Sequence, residues 1–173
     1  LELSGKRVLL IDLDPQANMS AYLGFEDDDK STMSDLVMTT ANNFTMGAQK
    51  REMPSMDECV RYSEINKVHF IPSDIGLAYA DACMMQAAQR ESVLKFILSD
   101  KAIQEYDYVI IDCLPSLGIL LINALTASDG VIIPVQTQKF ALDGLDMLSE
   151  IYNQVKETIN PKLDITGVLA TMA

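Results

Sequence analysis

The chain contains few of the residues on which histidine- and cysteine-based sites depend. Its 173 residues include a single histidine, His69, which leaves little room for a catalytic triad or a histidine-bound zinc ion. The three cysteines, Cys59, Cys83 and Cys113, are an odd number and lack the spacing of metal ligands. This pattern favours a reduced, cytoplasmic compartment over a disulfide-bonded one.

The chain also lacks long apolar runs and an excess of basic charge. Its longest apolar runs, such as 117–121, are far shorter than the roughly 20 residues that span a bilayer, and no signal peptide is visible. We therefore expect no membrane attachment. The net charge is −12, from 25 acidic and 13 basic residues, which argues against a broad nucleic-acid-binding surface on this part of the protein.

The chain does contain a series of short, apolar, β-branched runs separated by helical patterns. Continuous apolar runs are typical of strands that are buried on both faces, as in a parallel sheet. We predict such strands at 7–13, 68–72, 108–112, 130–135 and 165–171, and helices at 74–90, 92–104, 116–127 and 141–159. The acidic, methionine-rich region 25–64 is weakly periodic, so we expect short helices and loops there.

This alternation predicts an α/β fold with a doubly wound, mostly parallel sheet and helices on both faces. A single domain over residues 1–173 is the best count, because no internal repeat or linker is visible. Residues 1–5 are typical of a helix end closed by a C-cap glycine, and no helix follows the last predicted strand. We therefore expect an internal segment of a longer protein, truncated at both ends.

Acidic side chains stand at the carboxyl ends of two predicted strands. Asp12 and Asp14 end the first strand in VLLIDLDPQ, and Asp112 ends another in YDYVIIDCLPSLG. Ligands of open parallel sheets bind beyond the carboxyl ends of the strands. Carboxylates gathered at that edge would repel one another, so a cation is expected there, and Mg²⁺ prefers such oxygen ligands. The alternative is that each acid only caps a turn or a helix.

Four segments of the chain, taken in order, resemble the ParA family of partition ATPases, in the deviant Walker group that includes MinD. They are GKRVLLIDLDPQAN, YDYVIIDCLPSLGILLINAL, GVIIPVQTQKFALDGL and NPKLDITGVLATM. The resemblance is collinear over about 5–24 and 105–172 and weak over 25–104. It implies a P-loop NTPase-like fold and an ATP hydrolase that uses ATP and Mg²⁺.

The resemblance also implies roles for individual residues. Asp14 matches the catalytic acid that orients the attacking water. Asp112 matches the Walker B acid that holds Mg²⁺ through water, and Asp12 matches its neighbour near the magnesium shell. The loop 113–118 matches the switch that senses the γ-phosphate. The residues assigned to the cofactor site are Asp12, Gln16, Pro115 and Ser116.

Two polar residues of this region have alternative interpretations. Ser116 and Asn123 could be polar contacts in the switch. Ser116 could equally cap the helix that is predicted to begin there.

One element of such an ATPase has no match in the chain. No segment fits the phosphate-binding pattern G-x-x-x-x-G-K-[ST], since the only Gly-Lys pair, Gly5-Lys6, is followed by Arg7. In the family this loop lies upstream of the segment that matches GKRVLLID, and the C-terminal part supplies adenine contacts and much of the DNA-binding surface. We therefore expect residues 1–173 alone to bind ATP poorly and to be inactive.

Three functions are compatible with these residues. The first is a ParA-like ATPase that partitions plasmid, chromosome or mobile-element DNA. The resemblance implies that it forms a homodimer with ATP, is activated by a centromere-binding, ParB-like protein, and binds DNA non-specifically through parts outside this segment. The second is a MinD-like membrane-positioning ATPase, and the third is a non-catalytic interaction module. The Pro-Gln pair after Asp14 favours the first.

Overall fold

The computed structural model of the chain describes residues 5–114, 116–136 and 141–171. The strands in these ranges are β1 (Val8–Leu13), β2 (Arg61–Ser63), β3 (Val68–Ile71), β4 (Tyr108–Cys113), β5 (Gly130–Gln136) and β6 (Asp164–Thr171). All five predicted strands are confirmed, with each end within one residue of its predicted place. Strand β2, which has only three residues, was not predicted.

The strands form a four-stranded sheet in the order β2-β3-β1-β4 and a separate pair, β5-β6. Strand β1 runs parallel to both β3 and β4, and β5 runs parallel to β6. Only β2 is antiparallel, and it lies at the edge of the sheet beside β3. The predicted α/β fold with a mostly parallel sheet is therefore confirmed.

The central position of β1 explains its continuous apolar sequence. Leu9, Ile11 and Leu13 pack against helices on one face of the sheet and form part of the main hydrophobic core. Val8, on the opposite face, packs with Phe70 of β3 and other apolar residues. Because alternate residues of a strand point to opposite faces, a strand buried on both sides has no solvent-facing positions for polar residues.

The helices predicted over 116–127 and 141–159 are present, whereas those predicted over 74–90 and 92–104 are shorter and broken. The observed helices are α1 (Asn18–Tyr22), α2 (Met33–Phe44), α3 (Met56–Cys59), α4 (Ala80–Met84), α5 (Val93–Leu98), α6 (Ile119–Ala127) and α7 (Ala141–Thr158). The prediction of one helix over 74–90 is wrong. The Asp74 carboxylate accepts a hydrogen bond from the Gly76 amide and caps a 3₁₀ turn, which precedes the short helix α4. The helix predicted over 92–104 likewise contains only α5 and a later 3₁₀ turn.

Helix α2 occupies part of the region that was expected to hold only short helices and loops. A capping box begins this twelve-residue helix, since Thr32 and Asp35 satisfy each other's backbone amides. Its buried polar positions are the small hydroxyl residues Ser34 and Thr40, which lie among buried apolar residues. These buried hydroxyl residues hide the helical periodicity in the sequence.

Helix α6 joins the two hydrophobic cores. Leu120 and Ala124 pack in the main core, whereas Leu121 and Leu125 pack in a second core with α7. A helix buried on two sides needs apolar residues almost all round, and its sequence ILLINALTA has that composition. The helix therefore holds the β5-β6 pair beside the main sheet.

Apolar side chains remain exposed on the strands at the gap between the two sheets. Tyr108 and Ile110 of β4 are 47% and 46% exposed, and Ile132 of β5 is 65% exposed. Strands β4 and β5 each have one edge without a partner strand among the described residues. In the described ranges, no helix is long and apolar enough to cross a membrane.

The two ends of the chain are described only in part. The helix end expected at residues 1–5 lies outside the described residues, except for Gly5. Its φ of 73° is the left-handed conformation that a C-cap glycine adopts.

The turn between β1 and α1 contains a strained residue, Ala17, whose φ of 52° lies in the left-handed region. We expect Ala17→Gly to raise the free energy of unfolding by about 0.5–1 kcal/mol, because glycine adopts this conformation without steric cost. Denaturant unfolding measures the change. The matched control is Ala21→Gly, an exposed alanine inside α1, which should lower stability by about 0.5–1 kcal/mol. A loss of stability in both variants would contradict the assignment of strain to Ala17.

Candidate functional site

The site begins with two carboxylates on neighbouring strands. Asp12 of β1 and Asp112 of β4 are direct partners in the parallel register. Partners in adjacent strands project to the same face, with the strands about 4.8 Å apart. The register therefore brings together two of the predicted acids at the carboxyl end of the sheet.

Asp14 lies just beyond β1, at the start of a tight turn. Its Oδ1 accepts a hydrogen bond of 2.9 Å from the Gln16 amide, and its carbonyl oxygen accepts one of 2.9 Å from the Ala17 amide. No residue in the described ranges donates to its other carboxylate oxygen, Oδ2. Asp14 is partly buried and Gln16 is exposed. The turn thus fixes the backbone of Asp14 and leaves one oxygen free to accept a hydrogen bond.

Asp12 has a different environment, because it is completely buried. Its Oδ1 accepts a hydrogen bond of 3.0 Å from the Asp14 amide. Its Oδ2 accepts from the amide of Ser20 at 2.9 Å and from the hydroxyl of Ser20 at 2.6 Å. A buried carboxylate needs such donors to replace lost water. Both oxygens of Asp12 therefore accept hydrogen bonds from neighbouring residues. A role for Asp12 in the magnesium shell stays a prediction.

Asp112 is exposed, yet its pKa is raised above the ordinary value. The main cause is desolvation by the surrounding chain, and the negative charges of Asp12 and Asp14 add to it. Like charges near a carboxylate disfavour its ionised form. Desolvation and the two neighbouring carboxylates therefore both favour the protonated form of Asp112.

The chemistry of these acids suits a hard cation, although they do not form a complete ligand set. In the described ranges, no three His, Cys, Asp or Glu side chains lie close enough together to hold a metal ion. Mg²⁺ usually takes only one or two protein carboxylates and keeps several waters. A cation would stabilise the ionised form of Asp112, which desolvation and then the neighbouring carboxylates disfavour. The donor set therefore fits Mg²⁺ bound mainly through water.

The loop after β4 faces the turn after β1. Pro115, a predicted cofactor-binding residue, lies outside the described residues. Ser116 is exposed and lines a cavity of about 60 Å³ together with Pro15 and Leu114. Helix α6 begins at Ile119 with Gly118 as its N-cap, so the interpretation of Ser116 as a helix cap is wrong. Its contact with a nucleotide stays a prediction.

Asn123 has a structural role within the core. It is buried, and its Oδ1 accepts a hydrogen bond of 3.0 Å from the Leu94 amide at the start of α5. Its Nδ2 donates to the carbonyl oxygens of Arg90 and Ile119 at 2.9 and 3.0 Å. With both ends of the amide occupied, Asn123 ties α6 to α5 and is not available as a switch contact.

Two residues of the site were missed by the sequence interpretation. Ser20 contacts Asp12, and the amide of Ser73 donates a hydrogen bond of 3.0 Å to the Ser20 hydroxyl. Neither serine belongs to a motif with a recognisable spacing. Ser73 lies 53 positions from Ser20, and only the pairing of β3 with β1 brings them together.

The raised pKa of Asp112 predicts how stability depends on pH. Its ionised form opposes folding, so Asp112→Asn should raise the unfolding midpoint at pH 7 in buffer without magnesium or nucleotide. The gain should shrink as the pH falls through the raised pKa towards the unfolded value of about 3.9, because the carboxyl group is then neutral in both states. Thermal unfolding of the variant and the wild type between pH 7 and pH 3 measures this difference in midpoint.

Asp107 is the control, because its pKa is shifted in the opposite direction to that of Asp112. Hydrogen bonds from the Arg7 amide and the Lys6 side chain lower its pKa. Asp107→Asn should therefore lower the midpoint at pH 7, and this loss should fade as the pH falls through the lowered pKa. A midpoint of Asp112→Asn that is lowered, or raised equally at every pH, would contradict the proposed destabilisation of the ionised Asp112 by desolvation and charge repulsion.

Comparisons with known proteins agree with the motifs at this site. A family model described as an AAA domain matches residues 1–165. The chain is 40% identical over 169 residues to the sporulation initiation inhibitor protein Soj of Bacillus subtilis, covering 97% of the chain and 61% of Soj. It is 39% identical over 170 residues to the chromosome partitioning protein ParA of Caulobacter vibrioides, covering 97% of the chain and 59% of ParA. It spans about half to three-fifths of the length of the curated relatives it matches.

Solved structures share the fold of the chain. Cobyrinic acid a,c-diamide synthase from Mycobacterium smegmatis, solved with ADP and magnesium, matches with a TM-score of 0.83 and 31% identity over 99% of the chain and 64% of that protein. A plasmid partition protein from Borrelia burgdorferi matches with a TM-score of 0.71 and 26% identity over 96% of the chain and 66% of that protein. From the family model and these relatives, the chain belongs to the AAA-domain family, among the ParA-type partition ATPases.

Proposed function

We propose that the intact protein is a ParA-like ATPase that partitions DNA through Mg²⁺- and ATP-dependent dimerisation and hydrolysis. The observation that carries this proposal is the direct pairing of Asp12 with Asp112, with Asp14 just beyond them. In open parallel sheets, ligands bind beyond this edge. A cluster of carboxylates suits the magnesium ion that accompanies a nucleotide.

Each acid would contribute differently to phosphoryl transfer. Bound Mg²⁺ would neutralise charge on the phosphates. Asp112 would hold the ion through water. Its side chain is exposed, and a cation would stabilise its disfavoured ionised form. Asp14 would orient the attacking water with Oδ2, because Oδ1 already accepts from Gln16. Asp12, near the magnesium shell, would act by holding the Asp14 turn, since both of its oxygens already accept hydrogen bonds.

The exposed positions nearby would contact the nucleotide. Gln16 and Ser116 are exposed on the two loops that face each other at this edge. Together with Pro115 and the buried Asp12 they form the proposed cofactor-binding set. The 60 Å³ cavity beside Ser116 is much smaller than a nucleotide, so these residues would form only one wall of the site.

We propose that a phosphate-binding loop outside these 173 residues completes the site. The chain has no G-x-x-x-x-G-K-[ST] segment, and in the described part of the chain β4 and β5 each have an unpaired edge with exposed apolar side chains beside it. A strand added between β4 and β5 would pair with both, and a helix packed on its face would cover Tyr108, Ile110 and Ile132. Its carboxyl end would then lie beside Asp112, where the phosphates are expected.

The partners follow from the relatives rather than from the described surface. We propose a homodimer with ATP and a ParB-like activator, as the ParA-type relatives suggest. We propose that the DNA-binding surface lies outside this segment, and the net charge of −12 supports this. We also propose a cytoplasmic location.

The fold alone does not decide between functions. A structure of similar fold is named as a cobyrinic acid diamide synthase, and another is named as McdA from Cyanothece, with a TM-score of 0.78 and 25% identity. Identities of 39–40% to Soj and ParA over nearly the whole chain favour partition. A MinD-like role would require a membrane-binding segment outside these residues. A non-catalytic module would bind no Mg-ATP.

Asp14→Ala tests the catalytic assignment in the full-length protein. We expect ATP hydrolysis to fall by about 100-fold or more, because the attacking water loses its acceptor. The dissociation constant for Mg-ATP should change little, since Asp14 is not assigned to hold the ion. Steady-state hydrolysis and equilibrium binding measure the two quantities. Asp27→Ala, in the exposed acidic loop, is the control. Wild-type turnover by Asp14→Ala would contradict the assignment.

The incomplete site predicts a difference in affinity between the segment and the whole protein. Calorimetric titration should detect Mg-ATP binding to the full-length protein and little or none to residues 1–173, because the phosphates lack their loop. Circular dichroism first establishes that the segment is folded. Tight Mg-ATP binding by the folded segment would contradict the proposal of an external loop.

A further inference from the structure

We infer that Ser20 is a positioning residue for hydrolysis, which holds the Asp14 turn in place through Asp12. This inference rests on the proposed ATPase function. Ser20 lies in the short helix α1 and is only 1% exposed. A hydroxyl in a helix usually bonds to its own backbone or points to solvent. This hydroxyl instead makes its hydrogen bonds outside the helix, to the ends of two neighbouring strands.

The chemistry of its partners sets the direction of both hydrogen bonds. The carboxylate of Asp12 only accepts, so the Ser20 hydroxyl donates to it, at 2.6 Å. The amide of Ser73 only donates, so the same hydroxyl accepts from it, at 3.0 Å. Ser20 therefore links Asp12 at the end of β1 to Ser73 just after β3, and its hydroxyl cannot rotate without breaking one of the two bonds.

Asp12 transmits this constraint to Asp14. Its Oδ2 receives two hydrogen bonds from Ser20, which orient the carboxylate. Its Oδ1 then accepts from the Asp14 amide at 3.0 Å. The chain of bonds runs from Ser73 through Ser20 and Asp12 to the backbone of Asp14. The side chain of Asp14, with its free Oδ2, extends from that backbone.

Loss of the Ser20 hydroxyl would loosen the turn without removing a nucleotide contact. Asp12 would keep the amide donors of Ser20 and Asp14, but the buried Ser73 amide would lose its acceptor. A displacement of about 1 Å in a group that positions a reactant can lower a rate by 100-fold. The effect should therefore fall on turnover rather than on affinity.

The test is Ser20→Ala in the full-length protein. We expect kcat for ATP hydrolysis to fall about tenfold or more, while KM and the Mg-ATP dissociation constant stay within about threefold of wild type. Ser20→Thr, which keeps the hydroxyl, should retain most of the activity. Ser20→Val has the same shape as Ser20→Thr without the hydroxyl and should lose activity. If Ser20→Ala does not fold, the kcat of Ser20→Thr is compared with that of Ser20→Val instead.

Ser63→Ala separates positioning from general stability. Ser63 is also a buried serine, and its hydroxyl accepts from Asn66 at the far edge of the sheet. We expect Ser63→Ala to lower the unfolding midpoint but to keep the wild-type kcat at temperatures well below that midpoint.

Two results would overturn the inference while leaving the ATPase proposal intact. One is a wild-type kcat for Ser20→Ala or Ser20→Val when Asp14→Ala is inactive. The other is an equal fall in kcat for Ser20→Ala and Ser63→Ala. A wild-type protein that binds Mg-ATP but does not hydrolyse it, with or without an activator, would overturn the proposed function and this inference together.

Discussion

The parallel pairing of β1 with β4 is the interaction on which the candidate site depends. Its register places Asp12 directly beside Asp112, and the side chains before them alternate between two faces. A slip of one residue would turn every side chain of one strand to the other face and separate the two acids. Leu9, Ile11 and Leu13 prevent such a slip, because it would expose residues that now fill the main core.

The carboxylates at this edge of the sheet lie in different environments. Asp12 is buried and receives three hydrogen bonds from the protein, which replace the water lost on burial. Asp112 remains exposed, carries a raised pKa, and lies near the charges of Asp12 and Asp14. One acid thus forms part of the scaffold, and another keeps an electrostatic strain that Mg²⁺ would relieve. Asp14 combines both properties, because one of its oxygens accepts a hydrogen bond and the other has no donor among the described residues.

The accuracy of the sequence predictions follows from how local each signal is. Buried parallel strands need continuous apolar runs, so their positions were predicted to within one residue. The helix predicted over 74–90 is broken in the structure: Asp74 caps a 3₁₀ turn at its start, and Gln89 near its end has a left-handed φ of 58°, which a helix cannot contain. Strand β2 has only three residues, too few for a pattern, and it is held by its pairing with β3.

The sequence by itself determined the fold class, the family and the identity of the three acids, because apolar runs and strand-end motifs are local features. Only the tertiary structure decided which of these acids is buried, and which residues hold it. Ser20 and Ser73 carry no motif, and a hydrogen bond between positions 53 apart depends on the sheet that joins them. Burial is likewise a property of the assembled chain, so two aspartates of one strand end can differ in environment although their local sequences are alike.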